Sequence, residues 1–168
     1  MVEGKKIENI LMKVKEVGIY VSANIPALNA GGCGIYAYYL GRRLEKLGIQ
    51  VHAVAIGEYG AGHVNINELK SLDFYRTDKY NIRNIEYEFG DMFCHVVLYL
   101  PKLDIWIDSR GPVKRFKDIQ QFGKYYSPRM YMPIKELKYI IQSPTGWNPA
   151  YDREANNETI KRYIRKIK

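Results

Sequence analysis

Cys33, His95 and Asp108 are the side chains in this sequence that together suit nucleophilic catalysis. A thiol attacks as the thiolate, so it needs a base within hydrogen-bond reach. That base needs a further group to hold its tautomer and orientation. Cys33 follows the glycine pair in Asn29-Ala30-Gly31-Gly32-Cys33-Gly34, and a helical pattern starts at once. At a helix N-terminus the macrodipole and the unpaired N–H groups both favour the thiolate. A free cysteine is also an ordinary small core residue, so Cys33 alone decides nothing and its partners must.

The elements that would bring the three together can be read from periodicity. Cys33, Ala37, Leu40, Leu44 and Leu47 fall on one helical stripe, which puts the cysteine at the buried first turn. Gly48 is a stop signal, and Gln50–Ile56 reads as a strand. Cys94–Leu100 and Ile105–Asp108 read as two strands joined by a short turn at Pro101–Asp104. If that turn has an even number of residues, Cys94, Val96, Leu98, Leu100, Ile105 and Ile107 share an apolar face. His95, Val97, Tyr99, Asp104, Trp106 and Asp108 then share the other. A four-residue turn makes His95 and Asp108 diagonal neighbours and a two-residue turn pairs them directly; both lie within side-chain reach. Trp106 would flank the pair and shield it from water.

Elsewhere the pattern is coarser. Ile7, Ile10, Leu11 and Val14 predict a helix over Glu3–Val17 that ends near Gly18, with Gly18–Ser22 a strand or the lead into a loop. Asn24–Gly32 has loop chemistry. Residues 57–89 read as an excursion over the site, with a helical turn at Asn67–Leu72. Val113–Phe122 is expected as a helix, Ser127–Pro133 as a proline-bounded loop, Ile134–Ile141 as a further helix, and Pro144–Pro149 as a linker. Ile160, Tyr163, Ile164 and Ile167 form a last helical stripe over about 156–168, capped by Asn156 or Asn157. The fold class expected is α+β: one domain over 1–168, with the cysteine helix packed on a mostly antiparallel sheet.

At 168 residues, 46% hydrophobic and 26% charged, the composition is that of a globular chain with a substantial core. No apolar run is long enough for a membrane span and no signal peptide is visible, so a cytoplasmic product is expected. Two cysteines make no disulfide framework. The net charge of +8 is confined to Gly111–Lys168, with 13 basic and 5 acidic residues, since Met1–Arg110 balances 13 against 13. A basic C-terminal region can attract nucleic acid or an acidic partner, although such a face is more often simply solvated.

Gly-Gly-Cys33-Gly opening a helix, His95-Val-Val-Leu-Tyr-Leu on one strand and Trp-Ile-Asp108-Ser-Arg-Gly ending the next resemble the papain-like and transglutaminase-like cysteine hydrolase core. The order is similar to that of arylamine N-acetyltransferases, and the short Asp-Ser-Arg-Gly form to small bacteriophage proteins. The resemblance covers Asn29–Gly111 apart from the middle section. It implies Cys33 as nucleophile, His95 as base and Asp108 as orienter, acting on an amide, peptide or thioester substrate without a cofactor. Papain-like peptidases carry an oxyanion-hole glutamine before the cysteine, and none stands here. Asn29 or Asn24 would substitute, with the Cys33 N–H as second donor and Gly34 beside it.

Three other readings compete. Val17–Ser22, Gly31-Gly32 and the helix to Gly48 are similar to the opening of a nucleotide-sugar glycosyltransferase, which would need a second domain and a parallel sheet. Zinc binding by Cys33, Cys94, His95 and His52 or His63 lacks a Cys-x-x-Cys and sets Cys94 and His95 on opposite strand faces. A hydrolase-like domain that only binds, through its basic C-terminal third, completes the set.

Overall fold

The computed structural model describes residues 2–25, 28, 32–58, 95–119, 126–138 and 153–168. The expectations for Asn29, His63, Cys94, the Asn67–Leu72 turn and the Pro144–Pro149 linker lie outside the described residues.

Ile10, Val14, Val17 and Val21 are all buried, and the helix they specify, α1, spans Val2–Asn24. The expected end near Gly18 is therefore wrong, and Gly18–Ser22 is helical. Glycine costs a helix about 1 kcal/mol relative to alanine. At Gly18 the missing side chain admits another segment: a Cβ there would sit 2.6 Å from the Ser109 carbonyl oxygen.

Helix α2 (Cys33–Lys46) buries Ala37, Leu40 and Leu44, while Cys33 and Leu47 are half-buried at its ends. Gly48 has φ 78° and donates its N–H to the Glu45 carbonyl at 3.0 Å, closing the helix as a glycine can.

Strands β1 (His52–Glu58), β2 (His95–Leu100), β3 (Ile105–Asp108), β4 (Gly111–Val113) and β5 (Tyr126–Pro133) form one sheet in the order β4-β3-β2-β1-β5. Every pairing is antiparallel, so the architecture is α+β, and the parallel sheet that a glycosyltransferase-like domain needs is not formed among the described residues. Leu100 pairs with Ile105 and Leu98 with Ile107, which leaves Pro101–Asp104 as an even, four-residue turn. Asp104 adopts φ 52° there and accepts the Tyr99 hydroxyl at 2.8 Å.

Alternation then separates two cores. Val96, Leu98, Leu100 and Ile107 pack with α1, α2 and the C-terminal helix α3 (Arg153–Ile164). Val97, Tyr99 and Trp106 pack on the other face with Val54, Ile56, Phe116 and Ile119. Ile160, Ile164 and Ile167 of the C-terminal segment are buried, and Arg43 Nε donates to the Ile167 carbonyl at 2.7 Å. Asn156 and Asn157 lie inside α3 and cap nothing, because the helix begins at Arg153. Among the described residues no helix is long and apolar enough to cross a membrane.

Other expectations fail for local reasons. Val113–Phe122 is not a helix over its described part: Val113 ends β4, and Phe116–Asp118 is a single 3-10 turn. The three-residue spacing of Val113, Phe116 and Ile119 suits that turn as well as an α-helix. Ser127–Pro133 is strand, not loop. Its register jumps from Ala55↔Met130 to Ile56↔Pro128, so Arg129 is the extra residue of a bulge beside the proline. From Ile134 the chain makes a 3-10 turn, Ile134–Glu136, with helical residues at 137–138.

Close approach holds α2 in place. A Cβ on Gly41 would lie 2.5 Å from Cδ1 and 2.8 Å from Cγ1 of the fully buried Ile134. Gly41→Val should therefore cost about 1–3 kcal/mol by overpacking. Urea unfolding measures it, and combining it with Ile134→Ala should cost less than the two changes summed.

Candidate active site

His95 is the first residue of β2 and Asp108 the last of β3, so in an antiparallel pair both lie at the same end of the sheet. Continuing the register beyond Leu98↔Ile107 sets Val97 opposite Asp108 and His95 on the diagonal. His95 Nε2 stands 3.8 Å from Asp108 Oδ2, and the residues are only 2% and 7% exposed. The separation is that of an ion pair rather than of a short hydrogen bond.

The Asp108–Gly111 turn fixes the carboxylate. Asp108 Oδ1 accepts the Arg110 backbone N–H at 2.8 Å, and Arg110 Nη1 approaches Oδ2 at 3.7 Å. Gly111 has φ 115°, and a Cβ there would meet Lys15 of α1 at 3.0 Å. The Ser109 carbonyl accepts the Ser22 hydroxyl at 2.9 Å. The Asp-Ser-Arg-Gly string is thus one two-residue hairpin turn clamped against α1.

Cys33 reaches this end from the other face, as the first residue of the helix that covers the Val96–Leu98–Leu100 side. Gly32, the N-cap, offers no capping side chain, and the first turn holds no acidic residue, so neither offsets the positive helix end. Burial pushes the Cys33 thiol up. The neighbouring His95 ring and its charge, with the N–H groups of Val96 and Gly34, outweigh it, and the thiol lies below its ordinary value. For His95, burial pulls down, while the neighbouring Asp108 and Cys33 raise the ring to about 9. With Nε2 toward Asp108, Nδ1 is the nitrogen left for the sulfur. Both shifts act in the direction of a thiolate–imidazolium pair.

The remaining expected residues divide. Gly34 sets its N–H on the sulfur. Trp106 shares the face of Asp108, with its ring centre 4.5 Å from Tyr99 and 5.2 Å from Phe116 in the second core. Asn24 is exposed and donates to the Tyr20 carbonyl at 2.8 Å within its own helix. Gly18, Ser22, Tyr36 and Arg110 carry the surroundings of Asp108, and no reading of the sequence gave them a role there. A tyrosine three residues after the nucleophile was the available signal for Tyr36. The contact of Gly18 with Ser109 spans distant parts of the chain and leaves no local signal. Among the described residues, no three His, Cys, Asp or Glu side chains are grouped to hold a metal ion.

Comparison of the chain with protein-family models, with curated proteins and with solved structures returns no match.

The charge states make stability depend on pH. His95 is raised to about 9, so its contribution is complete below its ordinary value of about 6.5 and is lost as pH climbs through about 9. The lowered Cys33 thiol contributes above its ordinary value and loses that as pH falls through its folded value. Asp108→Asn keeps an acceptor for the Arg110 N–H but removes the charge facing His95. It should cost more stability at pH 6 than at pH 10 in urea unfolding, and an equal cost would contradict the assignment.

Proposed function

We propose that this chain is a cysteine-dependent hydrolase or acyltransferase acting on an amide, peptide or thioester bond, with a core similar to the papain-like and transglutaminase-like enzymes. One observation carries the reading: a half-buried thiol at a helix N-terminus with no acidic residue in its first turn is held below its ordinary value by an imidazole that itself faces a buried carboxylate 3.8 Å away. A merely structural cysteine has no use for that sequence of partners.

The chemistry follows from the roles. The Cys33 thiolate attacks the acyl carbon, forming the S–C bond while the carbonyl pair moves onto oxygen. In this reading the Cys33 N–H receives that oxyanion, while the Gly34 and Val96 N–H groups favour the thiolate. Collapse breaks the bond to the leaving group, which takes the proton from the His95 imidazolium. Water or an acceptor nucleophile then gives its proton to His95, attacks the thioester and returns the thiolate. Asp108 keeps Nδ1 toward the sulfur and stabilises the imidazolium.

An acyl-enzyme tests this directly. Brief incubation with p-nitrophenyl acetate should add one acetyl group by intact-mass spectrometry, mapped to Cys33 and lost in Cys33→Ala. His95→Ala should slow acylation by roughly 10²–10⁴-fold, the usual worth of a general base, and Asp108→Asn by less. Absence of any Cys33 adduct would leave the domain a binding module.

The array on α3 favours a second reading, in which the basic C-terminal region also contacts a polyanion. Tyr20 and Tyr163 stack at 4.0 Å, Lys166 and Arg162 lie 4.1 and 5.1 Å from the Tyr163 ring, and Lys161 lies 5.2 Å from that of Tyr39. Arg165 and Lys168 are exposed beside them. Nucleic-acid affinity on this face should fall steeply with salt in a fluorescence titration, and no binding at low salt would leave it a solvated surface.

A further inference from the structure

Tyr36 stands one turn after Cys33 on α2, on the same side of the helix, and is 2% exposed. Its hydroxyl is buried and makes no hydrogen bond. Phenylalanine would fill this space without stranding a polar atom, so the oxygen calls for a reason.

Its surroundings supply one. A Cβ on Gly18 would lie 3.1 Å from the Tyr36 hydroxyl and 2.6 Å from the Ser109 carbonyl, so the hydroxyl sits against the Asp108–Gly111 turn. That carbonyl already receives the Ser22 hydroxyl. Asp108 Oδ1 is committed to the Arg110 N–H, while Oδ2 is buried without a hydrogen bond, 3.8 Å from His95 Nε2 and 3.7 Å from Arg110 Nη1. A buried donor and a buried acceptor therefore lie in one small region, each with capacity unused. Burial, and then the Asp108 charge, hold the Tyr36 hydroxyl protonated far above its ordinary range, so it remains a donor.

We propose that Tyr36 is a positioning residue for Asp108: its hydroxyl donates to Oδ2, directly or through one bridging water, and steadies the carboxylate against the His95 ring. Held only at Oδ1, the carboxylate can swing Oδ2 away from the imidazole. A donor at Oδ2 removes that freedom at the moment the imidazolium needs it. The inference rests on the Cys33–His95–Asp108 reading above and extends it by one residue.

Tyr36→Phe keeps the ring and removes only the oxygen. In the full chain, NMR titration of the His95 ring and the pH dependence of Cys33 alkylation by iodoacetamide should both move. The His95 value falls and the alkylation midpoint rises. Labelling at neutral pH then drops about tenfold, the equivalent of one pKa unit, with no change well above the ordinary thiol value. In an Asp108→Asn background, Tyr36→Phe should add nothing further. Unshifted profiles, whatever happens to the melting temperature, overturn the proposal and leave Tyr36 a packing residue. If Tyr36→Phe does not fold, the wild type decides: the Tyr36 Cζ carbon shift follows the His95 titration if the hydroxyl serves Asp108, and a flat response overturns it. A wild-type His95 titrating at its ordinary value would bring down the triad reading itself, which keeps the two failures apart.

Discussion

An antiparallel hairpin with four residues in its turn has no freedom over which side chains share a face. Pro101–Asp104 is such a turn, and from it follow the pairing of Leu98 with Ile107, the diagonal placement of His95 and Asp108, and the division into two cores. One residue more or less would send the carboxylate to the side that α2 covers. Tyr99 ties the turn down by donating to Asp104, so the length of the loop is enforced by a bond as well as by chain count.

Charges this deeply placed are costly unless they are satisfied on several sides. Asp108 is engaged at both oxygens by the Arg110 backbone and by the His95 and Arg110 side chains at longer range. Cys33 draws on His95 and on two backbone N–H groups. The site lies at the end of the sheet because only there can a residue from the helical face meet residues from the opposite one. The same placement leaves Cys33 half-buried.

What was legible in the sequence was what periodicity controls. The stripe of α2, the alternation along β2 and β3, and the parity of their turn all carry their answer locally. Gly18 was misread because a glycine in a helical pattern signals a stop, while its actual service is to the Ser109 carbonyl, far away in the chain. The prolines that bound Ser127–Pro133 disguised β5, since the bulge that tolerates Pro128 is set by its partner strand and not by its own residues. Tyr36 escaped because a tyrosine on an apolar stripe looks like filling. Its hydroxyl acquires meaning only once α1 and the β3–β4 turn are packed around it.

The margins of the sheet have their own consequence. Pro112 lies in β4, a strand of three residues, and Pro128 and Pro133 lie in β5 beside a bulge. Proline offers no N–H to a newcomer and a bulge breaks the even ladder, so both outer strands are poor templates for another chain. An extended polypeptide therefore gains little by zipping onto either flank. This guards against strand-to-strand aggregation.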